Sequence, residues 1–150
     1  MNKIFNLLSA LTFLFLLNSC GDKDNNVTPQ PTEKDKILVN YPWKMSKVTD
    51  LSGQDIAREK LDLQTRIITE LDIQFVSGNK VYAKDAQSQV INGGTWYLIE
   101  DSKVLDINIS GFTGKFGVQE LTNSTMKLKS TMPVSGVDQE AIMVFAPVIK

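Results

Sequence analysis

The chain of 150 residues contains no histidine and one cysteine, Cys20. Without histidine there is no Ser-His-Asp or Cys-His catalysis, no imidazole ligand for zinc or iron, and no ordinary general base near neutral pH. A lone cysteine cannot staple the chain to itself. Sixteen basic and seventeen acidic residues leave a formal charge of −1. Charges of both signs are scattered without a Lys/Arg block, so the electrostatic footprint of a nucleic-acid binder is missing, and so is a polybasic membrane patch. No apolar run reaches the roughly 20 residues that a membrane-crossing helix needs. What remains for chemistry is carboxylates, serine-lysine pairs and tyrosine.

The one long apolar stretch, residues 7–17 (LLSALTFLFLL), follows Lys3 and ends at Leu17-Asn18-Ser19-Cys20-Gly21. A positive start, a short apolar run and a small residue at the cut describe an export signal. The cysteine position resembles a bacterial lipobox: Leu17 is the apolar residue three before the cut and Ser19 is small. The expectation is a signal peptide over 1–19 and an acylated Cys20. Its diacylglyceryl and N-acyl (palmitate-like) chains would anchor the protein, since each buried methylene contributes about 0.8 kcal/mol and more than one chain is present. That implies a lipid-anchored protein of the outer membrane, at its periplasmic face or at the cell surface. Asp22 and Asp24 resemble the acidic surface-export signal of some Bacteroidetes lipoproteins, interrupted here by Lys23.

Behind the cysteine, residues 21–36 (GDKDNNVTPQPTEKDK) are polar and hold one aliphatic residue, Val27. They cannot bury enough apolar surface to order themselves. Residues 20–36 therefore read as the lipidated cysteine plus a flexible tether, and 37–150 as the folded domain. In that domain apolar and polar residues alternate. Trp43 and Met45 oppose Lys44 and Ser46; Leu71, Ile73 and Phe75 oppose Asp72 and Gln74; Leu105, Ile107 and Ile109 oppose Asp106 and Asn108; Met126 and Leu128 oppose Lys127 and Lys129. Period two with short polar turns predicts half-buried antiparallel strands. Eight are expected, over 43–49, 71–75, 80–84, 96–100, 104–109, 115–121, 125–131 and 141–148. Connections as short as most of these favour sequential hairpins, because parallel strands need a crossover of a dozen or more residues.

Residues 54–70 break the rhythm. Ile56, Leu63 and Ile67, with Ala57, Leu61 and Ile68, recur at helical spacing without Gly or Pro, which predicts an amphipathic helix. The fold class expected is thus all-β: an eight-stranded antiparallel up-and-down meander with one helix between the first two strands. The early Tyr41-Pro42-Trp43-Lys44, the later Gly94-Thr95-Trp96-Tyr97-Leu98, Val104-Leu105-Asp106-Ile107, and the pair Glu120-Leu121-Thr122 with Met126-Lys127-Leu128 resemble the lipocalin-like domains of Bacteroidetes lipoproteins. The resemblance covers about residues 38–147 and implies a barrel or half-barrel. The glycine of the lipocalin G-x-W is replaced by Tyr41.

Candidate chemistry is sparse. Glu100 and Asp101 form the only adjacent acid pair outside the tether, at an expected turn, where solvated charge is the ordinary role. There is no calcium loop, Gly93 and Gly94 lack the rest of a phosphate loop, and Gly111, Gly114 and Gly117 read as a bend or bulge. No catalytic residue, metal site or cofactor is expected, and Cys20 is the one assigned site, for lipid attachment. The functional expectation is a non-enzymatic binding module whose partners are the membrane, through the anchor, and a small apolar ligand or an envelope protein. The alternatives are an assembly lipoprotein with a solid barrel and, ranked below it, a carboxylate-based hydrolase. Trp43, Phe75, Trp96, Phe116 and Phe145 are core candidates that a hollow barrel would turn into ligand contacts. A filled barrel and a hollow one share the same alternation.

Overall fold

The computed structural model describes residues 30–149. The expected signal segment 1–19, Cys20 and most of the expected tether lie outside the described residues. Eight antiparallel strands form a closed barrel in sequence order: β1 (Trp43–Thr49), β2 (Asp72–Val76), β3 (Lys80–Lys84), β4 (Val90–Ile99), β5 (Val104–Ile109), β6 (Phe112–Leu121), β7 (Met126–Val134) and β8 (Val137–Pro147). Closure comes from β8 returning to β1, with Trp43 opposite Pro147 and Thr49 opposite Ile142. A closed barrel leaves no continuous free edge.

Alternation sets the two faces. Trp43, Ile73, Phe75, Val81, Leu105, Ile107, Met126, Leu128 and Phe145 are buried inside. Phe75 and Trp96 meet edge to face with ring centroids 5.8 Å apart, an arrangement the ring quadrupoles favour. Outside, charges pair across strands: Lys127 with Glu120 at 2.7 Å and Lys129 with Glu140 at 2.8 Å. Such exposed pairs contribute little stability; their effect is to keep that face wet.

The end where β1 begins is the base. It is plugged by α1 (Glu33–Asn40). Thr32 caps this helix reciprocally: its hydroxyl accepts from the Asp35 amide at 3.2 Å, and the Asp35 carboxylate accepts from the Thr32 amide at 2.7 Å. That is a capping box. Leu38 is fully buried, and the Trp43 indole N–H donates to its carbonyl at 2.9 Å. Residues 33–36, which composition placed in the tether, are therefore helical: a cap and one buried leucine order a stretch that polarity alone would leave loose.

The opposite end is the mouth. There the link from β1 to β2 contains the expected helical structure over a shorter span. Gln54 to Ala57 are not helical: Asp55 bridges Thr49, the Ile56 amide donates to the Val48 carbonyl at 2.8 Å, and Ala57 is extended. A 3-10 turn covers Arg58–Lys60, and α2 covers Leu63–Ile68. Two contacts break the longer helix. Leu61 is drawn into a bridge with Val134, and Asp62 starts a new helix by accepting from the Gln64 and Thr65 amides at 2.8 and 3.1 Å.

Strands β4 and β6 start earlier than alternation indicates, at Val90 and Phe112. Gly93 and Gly94 carry no side chain to alternate, and the backbone needs that at Gly94: a Cβ there would lie 1.8 Å from the Asn108 carbonyl oxygen. Close approach of two backbones is one reason for glycine within a strand.

Candidate functional site

At the mouth, α2 lies across the barrel without filling it. Ile68 and Thr65 face inward and are buried, whereas Leu63 and Ile67 are 66% and 51% exposed. Beneath the helix is a cavity of about 490 Å³. Its floor is formed by inward-facing Ile73, Ala83, Ile109 and Phe112, and its rim by Leu63 and Ile67. The lining is chiefly aliphatic and aromatic; the polar groups are confined to Asp62, Gln64, Ser110 and the Gly111 backbone. The volume falls within the roughly 300–1,000 Å³ of small-molecule sites.

One hydrogen bond ties α2 to the far wall. The Gln64 side-chain amide donates to the Gly111 carbonyl at 2.8 Å. Gly111 sits in the β5–β6 turn with φ +84°, a conformation glycine adopts without steric cost. On the other side of this bond is a second cavity of about 240 Å³, bordered by Phe112, Phe116, Ser130, Met132 and Met143. It exists because β6 and β7 pair only from Gly117 and Lys129 towards the base; nearer the mouth the two strands separate.

Asp62 anchors the start of α2. Partial burial raises its pKa, but hydrogen bonds from the Thr65 hydroxyl and the Thr65 and Gln64 amides outweigh this and hold it below the usual carboxylate value. The carboxylate is thus committed to capping.

The residues considered for chemistry in the sequence are dispersed. Glu100 and Asp101 are exposed in the β4–β5 turn at the base, with φ +53° and +55°. Asp72 lies on the outer face 3.9 Å from Lys44. Ser110 lines the mouth cavity, while Ser135 sits in the β7–β8 turn with φ +53°. Among the described residues no cluster of three or more acidic, histidine or cysteine side chains could hold a metal. Trp43, Phe75, Trp96, Phe116 and Phe145 are all buried. Of the residues that shape the cavity rim, the apolar spacing marks Leu63 and Ile67 only as part of a helical stripe, and Gln64 carries no signal in it. The signal for them is Asp62, a capping residue in mid-pattern.

Fold and site together define a small closed antiparallel barrel, plugged at its base and hollow at its helix-covered mouth. This architecture is consistent with a lipocalin-like fold. Compared with protein-family models and with curated proteins, the chain matches none. Among the described residues no helix is long and apolar enough to cross a membrane.

Proposed function

We propose that this protein is a lipid-anchored, non-enzymatic envelope lipoprotein, acylated at Cys20, whose barrel binds a small apolar ligand at its mouth. The observation that carries the binding reading is the cavity of about 490 Å³ with an apolar floor and exposed Leu63 and Ile67 on its rim. The anchor rests on the lipobox-like Leu17-Asn18-Ser19-Cys20 behind a short apolar run. The non-enzymatic reading rests on the missing histidine and on acids that are dispersed, the one in the cavity lining, Asp62, being committed to capping α2. The outer-membrane location follows from the lipobox reading.

Native mass spectrometry of the protein extracted from its own membrane tests both parts. The expected spectrum shows acyl mass on Cys20 and a retained small molecule, and the retained mass disappears in Ala83→Phe, which extends a side chain into the cavity. An unacylated Cys20 overturns the anchor; a retained mass indifferent to Ala83→Phe, or none at all, overturns the binding site.

A second reading is that the mouth docks an envelope protein. Leu51, Leu63, Ile67, Val90, Ile91 and Val137 are all at least half exposed and belong to segments at the mouth end. Charging this rim by Ile91→Asp would then release a co-purifying protein, whereas a small-molecule site would keep its ligand.

A further inference from the structure

The barrel wall is incomplete between β6 and β7. Their ladder runs from Leu121 opposite Met126 to Gly117 opposite Lys129 and stops, although β6 begins at Phe112 and β7 continues to Val134. The slit left towards the mouth holds the cavity of about 240 Å³. Buried Phe112, Phe116, Met132 and Met143 make it apolar within, and exposed Thr113 and Thr131 edge it outside.

Ladder geometry assigns the main-chain groups that face the slit. Along an antiparallel strand, successive residues direct their N–H and C=O groups to opposite neighbours. The Val118 amide donates to the Lys103 carbonyl at 2.7 Å, so Phe116, Gly114 and Phe112 also serve β5. Lys115 and Thr113 turn theirs into the slit, where no strand pairs with them. On β7 the Ser135-Gly136 turn joins Val134 and Val137 as a hydrogen-bonded pair, so Met132 and Ser130 serve β8, and Thr131 and Pro133 face the slit. Proline has no N–H to offer, and beyond it the edge is taken. Leu61, extended and buried, bridges Val134, and the Ser135 amide donates to the Lys60 carbonyl at 2.7 Å. The chain thus adds an extended segment with a buried leucine to one edge of the slit and leaves the β6 edge open.

Lys115 is exposed on that open edge. Asp106 lies opposite it on β5, yet Lys115 makes no ion pair among the described residues. Asp62, the acid that borders the slit cavity, is committed to the α2 cap. Between Thr113 and Lys115, Gly114 leaves the inner face without a side chain.

We infer that the β6 edge is a docking site for an extended peptide, added as a strand with an aliphatic side chain inward beside Gly114 and an acidic one outward beside Lys115. Strand addition takes its affinity from main-chain hydrogen bonds and its selectivity from pockets for alternate side chains. The slit provides both. It lies across the Gln64–Gly111 bond from the small-molecule cavity, so this assignment goes beyond that reading and stands without it.

Calorimetry and amide hydrogen exchange of the full chain with a capped peptide of alternating leucine and glutamate test this. The peptide is expected to bind and to slow exchange of the Thr113 and Lys115 amides. N-methylation at its glutamates, which removes the donors facing β6, is expected to abolish binding. A version with lysine for glutamate should bind up to about fivefold more weakly, as a cross-strand charge pair gives, and Lys115→Gln should remove that difference. Binding that survives N-methylation, or that leaves the Thr113 and Lys115 amides unprotected, overturns the assignment; so does failure of the peptide to bind. Protection of those amides in the peptide-free protein that rises with protein concentration gives the edge to a second copy and overturns the peptide assignment as well.

Discussion

The side chain of Gln64 and the carbonyl of Gly111 are joined by a hydrogen bond of 2.8 Å, and this contact separates the two cavities at the barrel mouth. It links a helix of six residues to a turn on the opposite wall. An α-helix this short has little stability of its own, so its position depends on Gln64, on the Asp62 cap and on the buried faces of Thr65 and Ile68.

Gln64→Ala is expected to loosen α2 without unfolding the barrel. The bond is exposed, so its net contribution is about 1 kcal/mol. Hydrogen exchange of the Arg66 and Thr69 amides, which donate to Asp62 and Thr65, should quicken by about fivefold, the factor that energy corresponds to, while strand amides in β5 and β7 stay protected. Unchanged exchange at α2 would show that the bond does not hold the helix.

The Asp62 cap adds a pH dependence. Folding lowers this pKa below the usual 3.8, so the unfolded chain binds the proton more tightly than the native one. The cap's contribution is complete at neutral pH, declines as pH falls past 3.8, and is gone below the lowered native value. The Gln64 and Thr65 amides should lose protection in that acid window before the barrel melts. Asp62→Asn keeps an acceptor but no titrating group, and should flatten the response.

Gly94 and Gly93 should respond very differently to alanine. A Cβ on Gly94 meets the Asn108 carbonyl oxygen at 1.8 Å and cannot be accommodated without moving β4 away from β5. Gly94→Ala should therefore cost about 3 kcal/mol, at the upper end of overpacking. A Cβ on Gly93 is crowded only by the Tyr82 ring, at 3.2 Å, which can shift; the Val81 carbonyl oxygen is at an ordinary 3.7 Å. Gly93→Ala should cost less than about 1 kcal/mol. Denaturant melts of the pair decide it, and equal midpoints would refute the close-approach account.

At the base, Trp43→Phe removes the indole N–H that satisfies the Leu38 carbonyl. A buried acceptor left unpaired costs about 1–3 kcal/mol. Loss of that size, with α1 amides such as Lys36 exchanging faster, is the expected result. A Trp43→Phe protein as stable as the parent would mean that packing alone seats the helix.

The strands were legible wherever one face is packed and the other wet. Leu105, Ile107 and Ile109 against Asp106 and Asn108 mark β5 without ambiguity. The pattern failed where side chains vanish or competing contacts intervene. Gly93 and Gly94 hid the first half of β4. The stripe from Ile56 to Ile68 looked like one helix, but Leu61 is bridged to Val134 and Asp62 restarts the turn. Polarity concealed α1, whose order comes from Thr32, Asp35 and Leu38. The cavity itself was illegible, because inward residues read alike whether or not they touch across the barrel. Only the three-dimensional placement of Leu63 and Ile67 on one short helix sets an apolar rim over an open floor. Cys20, the one site assigned from sequence, lies outside the described residues.

The seam that closes the barrel has a kinetic meaning. Trp43 pairs with Pro147 and Thr49 with Ile142, so the first strand waits for nearly the last residues before it gains its main partner; its contact with β2 is confined to Trp43 and Lys44. Pairings this distant in sequence form slowly, because loop closure comes before any reward. Until β8 arrives the sheet is an open ribbon with two free edges. A barrel that cannot close early stays exposed to edge-to-edge pairing until β8 is in place.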